Sequence, residues 1–237
     1  MTRDFVVHEA PRTLRPGLRT FKPRRSRVTT RQSRALEHDD GLLLVLQDLP
    51  LDPQDEWGAS APLMLEIGFG DGSATALIAA AAPDVSFLAV DIHTPGVGDL
   101  LQRLRDAHVT NVRVMEADAL LVLERMVAPG SLTEVRSLFP DPWPKARHHK
   151  RRLIQPAVLD LVRDRLVTGG TWHVATDWPE YAEAIMECFA MDQLWTGGSV
   201  PRPDWRVTTR YEQRAQLEGR ASIDLTYRTV DPKTKGI

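Results

Sequence analysis

Two short stretches of the 237-residue chain combine the residue types that chemistry needs. The first is Glu66-Ile67-Gly68-Phe69-Gly70-Asp71-Gly72. Glycines at alternate positions let a backbone turn tightly and approach a ligand with its amides. Glu66 and Asp71 flank them, which suits a ligand with a cationic end better than a pyrophosphate. The dinucleotide fingerprint would need a third glycine at position 73, which is Ser73. The phosphate loop G-x-x-x-x-G-K-[ST] is absent. Asp91, 21 residues after Gly70, and Asp118 are strand-end carboxylates that could accept hydrogen bonds from a ligand. Helix capping is the plain alternative for each. The second stretch is Leu138-Phe139-Pro140-Asp141-Pro142-Trp143-Pro144-Lys145. Its prolines restrict the backbone, and Pro142 drives Asp141 toward an extended conformation. Such a loop presents a carboxylate and an indole with little entropy left to lose. A rigid turn with a packed Trp is the alternative, and the basic run that follows disfavours it.

The elements that must position these loops alternate regularly. Leu63 to Ile67 reads as a buried strand, followed by the glycine loop and an alanine-rich helix to Ala82. Phe87–Val90, Val112–Met115, Val135–Phe139 and Thr171–Ala175 read as further strands. Helices are expected over Pro95–Ala107, Ala119–Met126, Leu153–Leu166 and Pro179–Ala190, with Gly169-Gly170 ending the third of these. Gly41–Gln47 suggests a helix leading into a Pro/Asp/Gly linker at 50–62. Trp205–Tyr227 suggests two strands around a polar segment. Strands alternating with helices imply an α/β fold with a doubly wound, mostly parallel sheet. Ligands of such sheets bind at the carboxyl ends of the strands, where both loops fall.

Net charge is −2, but its distribution is uneven. Residues 1–38 hold ten Lys or Arg against three acids and form a basic N-terminal arm, expected to be flexible or ordered on binding. Residues 39–237 form the folded domain. Lys145 to Arg152 add five positive charges with no acid. Charge separated in this way suggests a polyanion footprint on one face. One cysteine, Cys188, excludes an intramolecular disulfide and is expected in the core. His148 and His149 are adjacent, a poor spacing for one metal, and no metal is expected. No apolar run approaches the roughly 18 residues of a membrane span, and no secretory signal opens the chain. A cytoplasmic protein without membrane attachment is expected.

The pattern E-x-G-x-G-x-G resembles that of S-adenosylmethionine-dependent methyltransferases of the Rossmann-like class. The second loop, F-P-D-P-W-P-K-x-R-H-x-K-R-R, resembles the signature of the bacterial tRNA (guanine-N7-)-methyltransferases. The likeness extends through His93-Thr-Pro-Gly-Val-Gly98, Ala175-Thr-Asp-Trp-Pro179 and Thr209-Arg-Tyr-Glu-Gln-Arg214. It implies a class I methyltransferase fold, S-adenosyl-L-methionine as methyl donor, and tRNA as partner. The implied target is the variable-loop guanine, conventionally position 46. The implied cofactor contacts are Glu66, Asp91, Asp118 and Asp141, beside Gly68, Gly70 and Gly72 of the loop. Asp141 is the implied catalytic carboxylate, with Lys145, Asp177, Thr209, Arg210, Tyr211 and Glu212 on the substrate. The family commonly has Glu where this chain has Asp91, so the ribose contact is expected to be looser or water-bridged. Thr209-x-x-Glu212 also matches a helix capping box, an equally good account of those two residues. Lys145, Arg147, Lys150, Arg151 and Arg152 are expected on phosphates, and Trp143 or Tyr211 stacked on a base. A nicotinamide oxidoreductase is disfavoured by Ser73. A methyltransferase for rRNA, a protein or a small molecule, and a non-catalytic RNA-binding module, stay open. A monomer and a homodimer both fit the sequence.

Overall fold

Alternation along single strands shows how this sequence builds two cores at once. The computed structural model describes residues 27–38, 40–58, 61–231 and 233. Its elements in chain order are α1 (Thr30–Glu37), β1 (Leu43–Leu44), α2 (Pro53–Trp57), β2 (Leu63–Ile67), α3 (Ser73–Ala81) and β3 (Ser86–Asp91). There follow α4 (Thr94–Asp106), β4 (Val112–Glu116), α5 (Ala119–Arg125) and β5 (Leu132–Leu138). A 3₁₀ turn (Ala146–Arg151), α6 (Pro156–Arg165), β6 (Leu166–Thr176) and α7 (Pro179–Ala190) come next, and β7 (Trp195–Val200), α8 (Arg210–Leu217) and β8 (Ile223–Thr229) complete the order. In β2 and β3, Met64, Phe87 and Ala89 point into one buried cluster with α3 and α4. Leu65, Leu88 and Val90 point into the other, with α5, α6 and α7. Successive side chains leave a strand on opposite faces, so a continuous apolar run serves both layers.

The sheet order is β1-β4-β3-β2-β5-β6-β8-β7. All pairs are parallel except β6–β8 and β8–β7. The expected doubly wound, mostly parallel sheet is therefore present. Among the described residues, no helix is long and apolar enough to cross a membrane.

Four local expectations are corrected. Gly41–Gln47 is not a helix: Leu43 and Leu44 pair with Val114 and Met115 as a short edge strand. A short apolar run does not distinguish the two states, and the open edge of β4 decides it. Helix α6 starts at Pro156 and ends at Arg165, before the glycine pair. Gly169-Gly170 lie inside β6, where the register against β5 jumps from Leu132↔Leu166 to Glu134↔Thr171. The glycines serve an irregularity of the strand rather than a helix end. Trp205–Tyr227 holds α8 and β8 rather than two strands, and β8 pairs with β6 and with the edge strand β7, which the Gly197-Gly198 pair disguised.

Of the basic arm, residues 1–26 lie outside the described residues. Within the rest of it, Thr30–Glu37 form α1, which packs on α4. Thr29 and Gln32 form a reciprocal capping box, the Gln32 amide donating to Thr29 Oγ1 at 3.3 Å and the Thr29 amide to Gln32 Oε1 at 2.8 Å. Gln32 and Ala35 are buried, Gln32 Nε2 donates to Asp99 Oδ2 at 3.0 Å, and Arg105 Nη1 donates to the Ala35 carbonyl at 2.7 Å.

Candidate active site

A pocket opens at the carboxyl ends of β2, β3, β4 and β5. Its wall includes Gly68 and Gly70 of the glycine loop, Asp91 and His93 after β3, Asp118 after β4, and Leu138 to Asp141 after β5. Tyr211, on the first turn of α8, closes one side. Parallel strands deliver all of their following loops to this one edge, so residues far apart in sequence meet here.

The glycine loop is held by a carboxylate. Asp91 Oδ2 accepts the Gly70 amide at 2.9 Å, and Asp91 Oδ1 accepts the His93 amide at 2.9 Å. Burial pushes the Asp91 carboxyl above its usual range, against the pull of these backbone amides. Gly70 has φ +64°, a conformation that side chains rarely adopt, and a Cβ there would lie 3.2 Å from the Tyr211 ring. At Gly96, in the first turn of α4, a Cβ would fall 1.9 Å from the Gly70 carbonyl oxygen. The helix is thus pressed against one side of the loop, while Gly68 and Gly70 line the pocket on the other.

The other acids take distinct positions. Glu66 does not line the pocket. It is 4% exposed on β2, behind the glycine loop, and burial pushes its carboxyl up against the opposing influence of Thr75 and Arg136. Asp71 faces outward: burial raises it, but hydrogen bonds from Ser73 and the charges of Arg210 and Arg103 hold it below the usual range. Arg210 Nη1 meets Asp71 Oδ2 at 3.0 Å. Asp118 is both cap and wall, since its carboxylate accepts the Leu120 amide at 3.0 Å at the start of α5. Gly72 precedes α3 as its cap residue.

The loop after β5 is strained as well as proline-rich. Phe139 (φ +57°) and Trp143 (φ +47°) are non-glycine residues in the left-handed region. The Phe139 amide donates to the Ala175 carbonyl at 2.8 Å, which fixes where the loop leaves the sheet. Asp141 is exposed on the pocket wall, and Lys145 is exposed beyond it. Trp143 lies 5.8 Å from His148 in an edge contact, with the Arg151 guanidinium 5.0 Å from its ring centre.

Besides Glu66, the expected ligand contacts Arg152, Thr209 and Glu212 fall inside the protein. Arg152 is buried, donates to the Pro142 carbonyl at 2.9 Å and to Glu180 at 3.1 and 2.5 Å, and lies over the Tyr181 ring. It braces the loop and is withdrawn from the basic surface that Lys145, Arg147 and Lys150 keep exposed. Glu212 is 1% exposed and receives Arg206 through both oxygens at 2.9 Å, with Ser222 at 2.8 Å and Arg202 as further donors. Thr209 caps α8, its hydroxyl accepting the Glu212 amide at 3.1 Å; the Glu212 side chain makes no return bond, so the box is half formed. Asp177 sits at the end of β6, outside the pocket wall, and accepts Arg220 Nε at 2.8 Å. Sequence reasoning missed His93 on the wall, although its place directly after a strand-end acid was a signal. It also missed Arg206, for which the sequence carries no signal beyond an Arg in a polar segment. Among the described residues, no group of three or more His, Cys, Asp or Glu gathers in a form that could hold a metal ion.

Comparison with known proteins adds to this geometry. Residues 60–225 match the family described as "Putative methyltransferase". The chain is 44% identical to a tRNA (guanine-N(7)-)-methyltransferase of Streptomyces coelicolor, over 91% of this chain and 82% of the relative. It is 44% identical to the protein of that name from Pseudomonas syringae pv. syringae, over 98% of this chain and all of the relative. Solved structures of the 16S rRNA methyltransferase KamB (TM-score 0.56, 14% identity, 78% of this chain and 96% of that one) and of the 16S rRNA (adenine(1408)-N(1))-methyltransferase of Catenulisporales acidiphilia (TM-score 0.52, 20% identity, 79% and 97%) share its fold. With near-complete coverage at this identity, the chain belongs to the tRNA (guanine-N(7)-)-methyltransferase family.

Proposed function

We propose that this chain transfers a methyl group from S-adenosyl-L-methionine to N7 of guanine in tRNA, with the variable-loop guanine as acceptor. The observation that carries this reading is the position of Asp141. A proline-framed carboxylate stands on the wall of the pocket that the glycine loop opens, and exposed Lys145, Arg147 and Lys150 follow it directly.

The pocket fits such a cofactor. The Gly68–Gly70 backbone would take its amino-acid end, Asp91 the ribose hydroxyls and Asp118 the adenine edge. When bound, S-adenosylmethionine supplies an electrophilic methyl group on a sulfonium. Asp91 here is one methylene shorter than the usual Glu and already holds the Gly70 and His93 amides, so its contact with the ribose would be looser or water-bridged.

Guanine N7 carries an in-plane lone pair and no proton, so the chain has no base catalysis to perform. Its task is alignment, with Asp141 fixed by Pro140 and Pro142 to accept hydrogen bonds from the guanine N1–H and amino group. Positive charge grows on the purine as N7 is alkylated, and a preorganised carboxylate stabilises it. Asp177 would serve as a second acceptor after exchanging Arg220 for the base. Trp143 is engaged by His148 and Arg151, whereas Tyr211 is 56% exposed beside the pocket and is the better stacking platform. Lys145, Arg147, Lys150 and Arg151 would hold phosphates, and the reaction belongs to the cytoplasm, the compartment of its RNA substrate.

The test is incubation of the protein with labelled S-adenosylmethionine and unmodified tRNA, with rRNA and free nucleotides as competitors. Nucleoside analysis should show 7-methylguanosine formed in tRNA. Methylation of another base, or of the competitors alone, would overturn the proposal.

A further inference from the structure

One buried guanidinium joins the two sides of the pocket. Arg206 is fully buried. Its Nη1 and Nη2 donate to Glu212 at 2.9 Å each, and Nη2 donates also to Asp224 Oδ2 at 2.9 Å and Ser222 Oγ at 3.0 Å. Glu212 is on the first turn of α8, next to Tyr211, which lines the pocket. Asp224 is the second residue of β8 and also pairs with His173 Nε2 at 2.9 Å on the neighbouring strand β6. The same guanidinium lies 5.6 Å from the ring centre of Phe139. Phe139 is the left-handed residue two positions before Asp141.

A bulky residue in that backbone region persists only where its surroundings over-determine it. Phe139 has two such restraints here, its amide bond to Ala175 and the charge beneath its ring. Carboxylates and a hydroxyl occupy the Arg206 plane, so the guanidinium cannot shift without moving α8, β8 or the Phe139 ring. Lysine would keep the charge but offers no planar fork to span two carboxylates.

We infer that Arg206 is a positioning residue for methyl transfer, coupling the strained Phe139–Asp141 segment to the Tyr211 turn of α8 so that both walls keep one spacing. The inference rests on the proposed use of Asp141 and Tyr211. It assigns Glu212 the work of holding this clamp rather than touching substrate.

The experiment compares Arg206→Lys and Phe139→Leu with wild type in the full chain. Single-turnover transfer to tRNA, with both substrates saturating, should slow by roughly 10- to 100-fold for Arg206→Lys, the scale of an ångström-sized misplacement. Affinity for S-adenosylmethionine should change far less. Val112→Ala, buried in β4 away from the pocket, controls for lowered stability: at a matched thermal midpoint it should keep the wild-type rate. Amide hydrogen exchange supplies a readout that needs no turnover. Arg206→Lys should speed exchange in both 139–145 and 209–213, while Phe139→Leu should do so in 139–145 with the ion network kept. Arg206→Lys turning over at the wild-type rate, or exchange in 139–145 unchanged in both variants, overturns the inference. If wild type makes no 7-methylguanosine, the proposed function fails, and the exchange data still decide the coupling. Should Arg206→Lys not fold, Phe139→Leu alone decides by the same two readouts.

Discussion

In the proposed reaction, Asp141 contributes charge and its frame contributes position. Replacing it by Ala removes the carboxylate while Pro140 and Pro142 still hold the loop. Losing one preorganised electrostatic interaction costs about 3 kcal/mol, or on the order of 10² in rate. Single-turnover transfer by Asp141→Ala should fall by that factor, and Asp141→Asn should stay slow, because it restores hydrogen bonding without charge. Both variants should stay folded, since the side chain is exposed. A rate within about threefold of wild type would leave alignment alone to explain the chemistry. A second expectation follows from burial at Asp91, which lines the pocket and whose carboxyl lies above the ordinary range. The ionised form is the one that suits the ribose hydroxyls of the cofactor, and it is lost as pH falls through the raised value. S-adenosylmethionine affinity should therefore weaken on the acid side at a higher pH than ordinary carboxylates would give. Calorimetry across that range checks it, and a profile flat down to pH of about 4, the usual carboxylate value, contradicts it.

Neighbouring arginines of the 3₁₀ turn and the residue after it do opposite work. Arg151 keeps contact with Trp143 at the surface, while Arg152 turns inward to Pro142 and Glu180. Arg152→Gln should cost stability, about 1–3 kcal/mol for the charged hydrogen bonds removed at a buried site, read as a lower thermal midpoint. It should leave the salt dependence of tRNA binding unchanged. Arg151→Gln should reverse the pattern, with little loss of stability and a salt slope smaller by roughly 0.7 to 0.9. Equal slopes for both variants would place Arg151 off the RNA.

For the whole molecule, charge separation is the feature that bears on the proposed tRNA partner. Net charge is only −2, yet basic groups collect in residues 1–38 and at 145–151. Part of the first group belongs to the folded body, because Arg31 pairs with Asp99 at 2.8 Å across the α1–α4 interface. Deleting residues 1–26 leaves that ion pair intact, so the truncated protein should fold and bind S-adenosylmethionine normally. Its tRNA affinity should fall, and the slope against salt should shrink by roughly 0.7 to 0.9 for each phosphate that the segment had neutralised. An unchanged slope would show that this segment neutralises no phosphate.

The doubly wound order, the pocket edge and the two loops were legible in the sequence because each rests on local rules. Strand alternation, glycine spacing and the restriction of the residue before proline need no distant partner. Asp91, Asp118 and Asp141 could be placed at one edge, since parallel strands put their following loops on the same side. Pairing across the chain decided what remained. Whether Gly169-Gly170 end a helix or bend a strand depends on the register of β5 against β6, and whether Leu43-Leu44 extend depends on the free edge of β4. Arg151 and Arg152 are chemically identical neighbours, and only the packing of Glu180 and Tyr181 against one of them makes it structural. Glu212 stands in a motif that fits substrate and capping equally well, but Arg206, Arg202 and Ser222 draw it into the core. Burial and charge pairing are sums over residues distant in sequence, so the tertiary structure alone decided which charged groups line the pocket and which lie buried behind its walls.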